Sequence, residues 1–378
     1  MKKIISMFIA LTVMSLAVKL VSFASVYDLS AKSAVLIDSQ TGTVIYAKNE
    51  KEKLPMASTT KIMTTLITLE SGDIDDEFVI DSRALLTEGS SMYLREGDVV
   101  SKRELCYGMM LPSGNDAANA AALKIGGEYS SFAEKMNRRA YDIGMFDSNF
   151  VTPSGLHDDF HYSTAYDMAL LAREAMKNDD FRTICGTQYM KLSDERWECD
   201  KYLTNSNKLL SRYDGCTGIK TGFTDEAGRC LVSSAVRNGV ELIAVTLNAP
   251  DDWNDHIKMM EYGFKVASSE RYEDCTTEFD VSVVGGLCDS VRCVISKQPE
   301  ITAVNGKQPQ ITEKIFMPDF KYAPIMKGDV IGYIEYCSED DVMCSVNVVA
   351  DENCGYNEKT EEKSLYRFII EKLKELFV

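Results

Sequence analysis

The sequence predicts a mixed α/β (α+β) protein: one sheet flanked by helices, followed by a small β-rich domain. Three observations predict it. Short β-prone runs lie at both ends of roughly the first 270 residues, with helical patterns between them, and such a layout folds as one sheet covered by helices. Past that point short strand-like pieces separated by Gly, Pro, Asn and Asp take over. A chain of 378 residues is also long enough for two folded units.

The elements can be read in order. Ser33 to Ile37 and Val44 to Ala47 are β-prone, and Asp38-Ser39-Gln40-Thr41-Gly42 between them reads as a turn, so a hairpin is expected. Thr59 to Leu69 lacks Gly and Pro and is long enough for a buried helix. It is rich in Thr, a poor helix former, so packing must hold it. Further helices are expected over Arg103 to Met110, Asp116 to Ile125, Phe132 to Ile143, Tyr166 to Met176 and Asp255 to Ala267. Gly218 to Thr221, Cys230 to Val236 and Leu242 to Leu247 read as strands. Phe279, Val281 and Val283 then alternate, and Val330 to Tyr336 is another strand-like run.

The ends differ from the body. Lys2 and Lys3 precede an apolar run from Ile4 to Val18, and Ser22-Phe23-Ala24 supplies small residues, so residues 1–24 read as a secretory signal cleaved after Ala24. The run is short for a membrane span of about 20 residues, and Lys19 interrupts it. The expected layout is a catalytic unit over 25–270, a β domain over 271–350, and a polar linker with a terminal helix over 351–378. In that last segment Leu365, Phe368, Ile369, Leu373, Leu376 and Phe377 fall at helical spacing opposite Lys and Glu, the pattern of a helix lying on a membrane surface.

Composition excludes some functions. The net charge of -17 argues against a nucleic-acid partner, since phosphate binding needs a basic surface. The eleven cysteines show no zinc-type spacing and their odd number cannot all pair within one chain. Cys288 with Cys293, Cys337 with Cys344, and Cys216 with Cys230 are near enough in sequence to bridge, but none is assigned. His157, His161 and His256 are too few and too scattered for a metal centre, so no metal or cofactor is expected, and His161 reads as a structural or cleft-edge residue.

Three short motifs carry chemistry. Ser58-Thr59-Thr60-Lys61 is S-x-x-K at a helix start, where a spacing of three puts both side chains on one face. A serine hydroxyl is a weak nucleophile until a base takes its proton, and lysine can be that base only if burial or a nearby positive charge lowers its pKa. Ser113-Gly114-Asn115 offers a hydroxyl and an amide on a tight turn. Lys220-Thr221-Gly222 offers a charge, a hydroxyl and a bare strand edge along which a ligand can lie. Each alone is weak. Together, and in this order, they form the nucleophile set of penicillin-binding proteins and class A β-lactamases, with Gly114 in place of the central Asp.

The surrounding residues narrow the match. Pro55-Met56-Ala57-Ser58-Thr59-Thr60-Lys61-Ile62-Met63-Thr64, Leu111-Pro112-Ser113-Gly114-Asn115-Asp116-Ala117-Ala118 and Gly218-Ile219-Lys220-Thr221-Gly222-Phe223-Thr224-Asp225 resemble the type-5 D-alanyl-D-alanine carboxypeptidases. Pro153-Ser154-Gly155-Leu156 and His161-Tyr162-Ser163-Thr164 look like a further family segment, and the resemblance spans roughly residues 30 to 350. It implies an antiparallel sheet flanked by helices and a small C-terminal β domain. It also implies peptidoglycan stem peptides ending in D-Ala-D-Ala as substrates, β-lactams as inhibitors, and action outside the cytoplasm.

By the same resemblance Ser58 is the nucleophile and Lys61 its base. Ser113 relays a proton to the leaving amine, and Asn115 orients Lys61 and substrate. Lys220 and Thr221 bind the terminal carboxylate beside Gly222, and the backbone N–H groups of Ser58 and Phe223 hold the oxyanion. The family often adds an arginine after the strand neighbouring Lys-Thr-Gly, but Asn248-Ala249-Pro250-Asp251-Asp252-Trp253 contains none. An endopeptidase or β-lactamase on the same scaffold is the nearest rival. No Glu-x-x-Leu-Asn of the class A enzymes lies between Ser113 and Lys220. A non-catalytic wall-binding protein is a more distant rival.

Overall fold

The strand Ser33–Asp38 (β1) is buried at every position, and its alternate residues go to two different cores. Val35 and Ile37 join one apolar cluster, while Ala34 and Leu36 join another. A sheet covered on both faces needs continuous rather than alternating apolar strands, which is how this run reads. The computed structural model describes residues 28–193, 197, 200–339, 341–357 and 370. The proposed signal and, apart from Ile370, the proposed terminal helix lie outside the described residues.

β1 pairs antiparallel with Val44–Lys48 (β2), closing the expected hairpin. Two short ribbons follow that the sequence pattern did not signal: Glu77–Val79 (β3) with Val99–Ser101 (β4), and Tyr189–Leu192 (β5) with Lys201–Thr204 (β6). Cys216–Thr224 (β7), Gly228–Arg237 (β8) and Val240–Leu247 (β9) complete a five-stranded antiparallel sheet of order β2-β1-β9-β8-β7. The strand carrying Lys-Thr-Gly is therefore an edge strand.

The helices are Lys61–Glu70 (α1), Lys102–Met110 (α2), Asn115–Gly126 (α3), Tyr129–Ile143 (α4), Ala165–Ala175 (α5), Asp179–Gly186 (α6), the single turn Leu209–Arg212 (α7) and Asp252–Val266 (α8). α2 starts on a capping box in which Ser101 Oγ accepts from Glu104 N and the Glu104 carboxylate accepts from Ser101 N. α1 is buried from Lys61 to Leu69, as befits a central helix. Its threonines are held as expected: Thr64 donates to Pro153 O at 2.6 Å and Thr68 to Thr64 O at 2.6 Å. α8 packs Met259 and Met260 on the opposite face of the sheet.

Beyond α8, Ala267–Arg271 (β10) pairs with Glu300–Val304 (β13). A second sheet joins Glu278–Val284 (β11), Ser290–Ile295 (β12), Thr312–Phe316 (β14), Phe320–Tyr322 (β15), Val330–Ser338 (β16) and Asp341–Ala350 (β17) in the order β14-β16-β17-β12-β11-β15. Its core is separate, built on Val281, Val291, Ile334, Val346 and Val348. Arg173 of α5 bridges the two units, donating to Asp341 Oδ2 at 2.6 Å and to the Ser39 and Gln40 carbonyls of the first turn.

Cys288 bonds to Cys354, sixty-six positions away, because the chain after β17 returns beside β11. The pairs that looked near in sequence do not form. Cys216 faces Ala235 while Cys230 faces Gly222, and Cys344 faces Tyr336 rather than Cys337.

Candidate active site

The serine sits on a 3₁₀ turn, Ala57–Thr60, that leads directly into α1. Ala57 before it holds φ at +48°, a left-handed conformation uncommon for a residue with a Cβ and typical of strained functional turns. Lys61 follows one turn later and is fully buried. Its Nζ stands 2.8 Å from Ser58 Oγ, 2.7 Å from Asn115 Oδ1 and 2.7 Å from the carbonyl oxygen of Ser154.

This geometry fixes which way the proton can move. A carbonyl oxygen only accepts, so the Asn115 and Ser154 contacts each take an N–H of Lys61. A neutral amine has two N–H bonds and one lone pair. The lone pair is then left for the Ser58 hydroxyl. Asn115 is itself oriented, because its Nδ2 donates to Glu88 O at 2.6 Å and so turns Oδ1 toward the lysine. The surroundings favour the neutral amine: Lys61 is held well below the usual lysine pKa, first by burial and then by the charge of Lys220, with Asp116 opposing. Lys220 is also buried, which brings it down to about 7, and its Nζ donates to Thr221 O.

Ser113 is nearly buried and lies at φ +67°, which folds the Ser-Gly-Asn turn tightly before α3. Glycine in the middle has a plain steric cause. A Cβ on Gly114 would stand 2.8 Å from Asp116 Oδ1 and 2.9 Å from Met92 N, so the turn has no room for an aspartate. Asp116 occupies that space and ties down residues 91–94, accepting from Ser91 Oγ and from the N–H groups of Met92 and Leu94.

Gly222 brings the edge strand against the nucleophile. A Cβ there would lie 3.1 Å from Met56 O, Ser58 N and Thr59 N. Ser58, Ser113, Thr221, Gly222 and Phe223 open together onto a cleft of about 320 Å³, completed by Ser90, Ser206, Lys208, Arg229, Asp252 and Trp253. Lys61, Asn115 and Lys220 lie beneath its floor. The structure thus brings together every residue that the motifs singled out. Larger cavities of about 580 and 500 Å³ are not lined by Ser58, Ser113 or Thr221, so size does not mark the site. Among the described residues no group of three or more His, Cys, Asp or Glu side chains is placed to hold a metal.

Three contributors escape motif reading. The Ser154 carbonyl is one, and only the Pro-Ser-Gly-Leu segment hinted at it. Gly155 beside it has φ +82°, and a Cβ there would lie 2.0 Å from Ala57 O. His161, read from the sequence only as a structural or cleft-edge residue, is the second. Its Nδ1 accepts from Val151 N at 2.9 Å, so Nε2 carries the proton and donates to Thr60 Oγ1 at 2.8 Å, while Thr60 donates to Ala57 O. Burial holds this imidazole neutral, down to about 4. It braces the turn that carries Ser58. The third is Arg229, described below.

Comparison with known proteins agrees with this geometry. The profile described as D-alanyl-D-alanine carboxypeptidase matches residues 20–251, and that of the penicillin-binding protein 5 C-terminal domain matches residues 276–355. The chain belongs to the D-alanyl-D-alanine carboxypeptidase family. It is 34% identical to the D-alanyl-D-alanine carboxypeptidase DacF of Bacillus subtilis, with 85% of each chain covered. It is 30% identical to DacA of Haemophilus influenzae, with 93% of this chain and 92% of that one covered. The crystal structure of penicillin binding protein 5 from Haemophilus influenzae superposes with a TM-score of 0.61 at 28% identity, covering 87% of this chain and 98% of that one. The carboxypeptidase is a serine peptidase of the penicillin-binding type, with peptidoglycan peptides as its substrate class and β-lactams as its ligands.

Proposed function

We propose that the protein removes the terminal D-alanine of pentapeptide stems through an acyl-enzyme on Ser58, with Lys61 as its base. The contact set of Lys61 Nζ carries this reading, since two carbonyl acceptors leave its lone pair for the Ser58 proton. As that proton moves to Lys61, Ser58 Oγ bonds to the carbonyl carbon between the last two residues. The oxyanion lies against the N–H groups of Ser58 and Phe223, donors aimed where negative charge develops. The proton passes by way of Ser113 to the leaving amine, the C–N bond breaks, and D-alanine departs. Water then attacks the ester, returns a proton to Ser58, and frees the shortened peptide. Asn115 holds Lys61 in place, and Thr221 meets the substrate at the bare edge left by Gly222. β-Lactams acylate the same oxygen.

The proposal extends to the chain's ends. Residues 1–24 export the protein, and the apolar face of 364–378 rests in the membrane interface at the outer side of the cytoplasmic membrane. Fluorescent penicillin should label wild type and leave Ser58→Ala dark. Purified wild type should shorten pentapeptide muropeptides by one alanine. Cleaved cross-links without loss of alanine would point instead to an endopeptidase, and an unlabelled wild type would defeat the serine mechanism.

A further inference from the structure

An exopeptidase must recognise the free carboxylate of its substrate's last residue, and a cation is the natural partner. Four cations lie in or under the cleft. Lys61 has committed its amine to Ser58, Asn115 and Ser154. Lys220 is buried, with its Nζ turned to the Thr221 carbonyl. Lys208 and Arg229 remain, and both line the cleft itself.

The two differ in how they are held. Lys208 is exposed, at the start of the single-turn α7. Arg229 stands on β8 directly opposite Phe223, so it shares a sheet face with the residue next to Gly222. Its Nε and Nη2 form a fork on Asp252, with Nε–Oδ1 at 3.0 Å and Nη2 at 2.8 and 2.9 Å from the two oxygens. Asp252 opens α8 and is buried, while the arginine side chain keeps 41% of its surface exposed. The guanidinium carbon stands 5.6 Å from the centre of the Trp253 ring. Nη1 forms no hydrogen bond among the described residues. A guanidinium gripped on one edge, stacked against an indole and free at its remaining nitrogen is pre-organised for one more anion.

We infer that Arg229 binds the substrate's terminal carboxylate and thereby sets the preference for a free chain end. This rests on the acyl-enzyme reading above, with the scissile bond at Ser58. The loop 248–253 supplies no arginine of its own. It supplies instead the carboxylate and the indole that aim an arginine from the neighbouring strand. Asp252 offsets part of the positive charge, so its service to binding is orientation rather than attraction.

The test uses a matched pair of acyl-D-Ala-D-Ala substrates, one ending in carboxylate and one in carboxamide, with kcat/KM measured for wild type, R229Q, R229K, D252N and K208Q. Wild type should favour the carboxylate. R229Q should lose about 10- to 100-fold on the carboxylate substrate, mostly in KM, and little on the amide. R229K should recover part of the preference, and it carries the test should R229Q fold poorly. K208Q should keep the preference, and D252N should lose part of it, because an amide cannot hold both arms of the fork that aims Arg229. The inference is overturned if R229Q keeps the wild-type ratio, if K208Q abolishes it, or if R229Q and D252N merely lower Tm alike with the ratio intact. Fluorescent penicillin separates this from the broader proposal: R229Q should still label, more slowly, whereas unlabelled wild type would remove the acyl-enzyme itself.

Discussion

The catalytic unit buries charged and polar residues within its apolar core, and the C-terminal β domain hardly does. Before residue 270 the interior holds Lys61, Asn115, Asp116, His161, Lys220, Asp252 and His256, with partners for most of their polar atoms. Beyond it, among the described residues, the buried set is apolar, aromatic or cysteine, with Thr302 the exception. That domain wears its hydrophobes outside as well: Phe316 stacks on Tyr333 at 4.7 Å, and Phe320, Tyr322 and Met326 are exposed. The comparison teaches where reactivity comes from. An ordinary interior stabilises by excluding water from apolar surface. The catalytic interior excludes water from ionisable groups, which raises their cost and changes their chemistry at once.

Acid should break the symmetry most. Burial holds His161 down to about 4 and His256 to about 3, so both are neutral when folded. In the unfolded chain each would take a proton below about pH 6.5. The stability they contribute is therefore complete above that pH and is lost as pH falls toward their folded values. This amounts to roughly 3–5 kcal/mol each. All three histidines precede residue 270. Hydrogen exchange between pH 6.5 and 4 should show β1, β8, β9 and α1 losing protection before β16 and β17; the reverse order would refute this account.

Next in size is Gly155→Ala. The methyl would meet the Ala57 carbonyl at 2.0 Å and force alanine to φ +82°. Positive φ and overpacking together should cost about 3 kcal/mol. Because the displaced backbone carries Ser58, penicillin labelling should fall along with Tm; unchanged labelling would mean the two loops are not coupled.

Lys220→Gln should act on pH dependence more than on fold. Removing a positive neighbour raises the Lys61 pKa, so the acidic limb of the acylation profile should move to higher pH. A profile that drops in height without moving would assign Lys220 to binding alone. The smallest effect is expected from Phe316→Ser, on the surface of the β domain. It should cost about 1 kcal/mol, chiefly the stack on Tyr333, and leave kcat untouched.

How much of this was legible in sequence follows from distance along the chain. Ser58 and Lys61 share a helical turn, so spacing alone places them together, and the two other motifs sit at the ends of recognisable elements. The antiparallel sheet came from the resemblance, and the edge-strand position of Lys-Thr-Gly from the structure, because register has no local signature. Arg229 reaches Asp252 across a strand and a turn, and Ser154 meets Lys61 from ninety-three positions away. No periodicity encodes such meetings. The same holds for Cys288 and Cys354, whereas the cysteines that were close in sequence faced other residues. The ribbons β3–β4 and β5–β6 are only three or four residues long per strand, too short for alternation to stand out.

Lys61 draws its basic form chiefly from dryness, and a dry site is only as dry as its lid. With the cleft open, bulk water reaches Ser58 from the solvent side. A peptide laid along the Thr221 edge would close that side and strip water from the Ser58 hydroxyl above the already buried amine. The substrate would then complete the environment that makes its own attacker competent, and a fragment too small to cover the opening would be turned over slowly even where it binds.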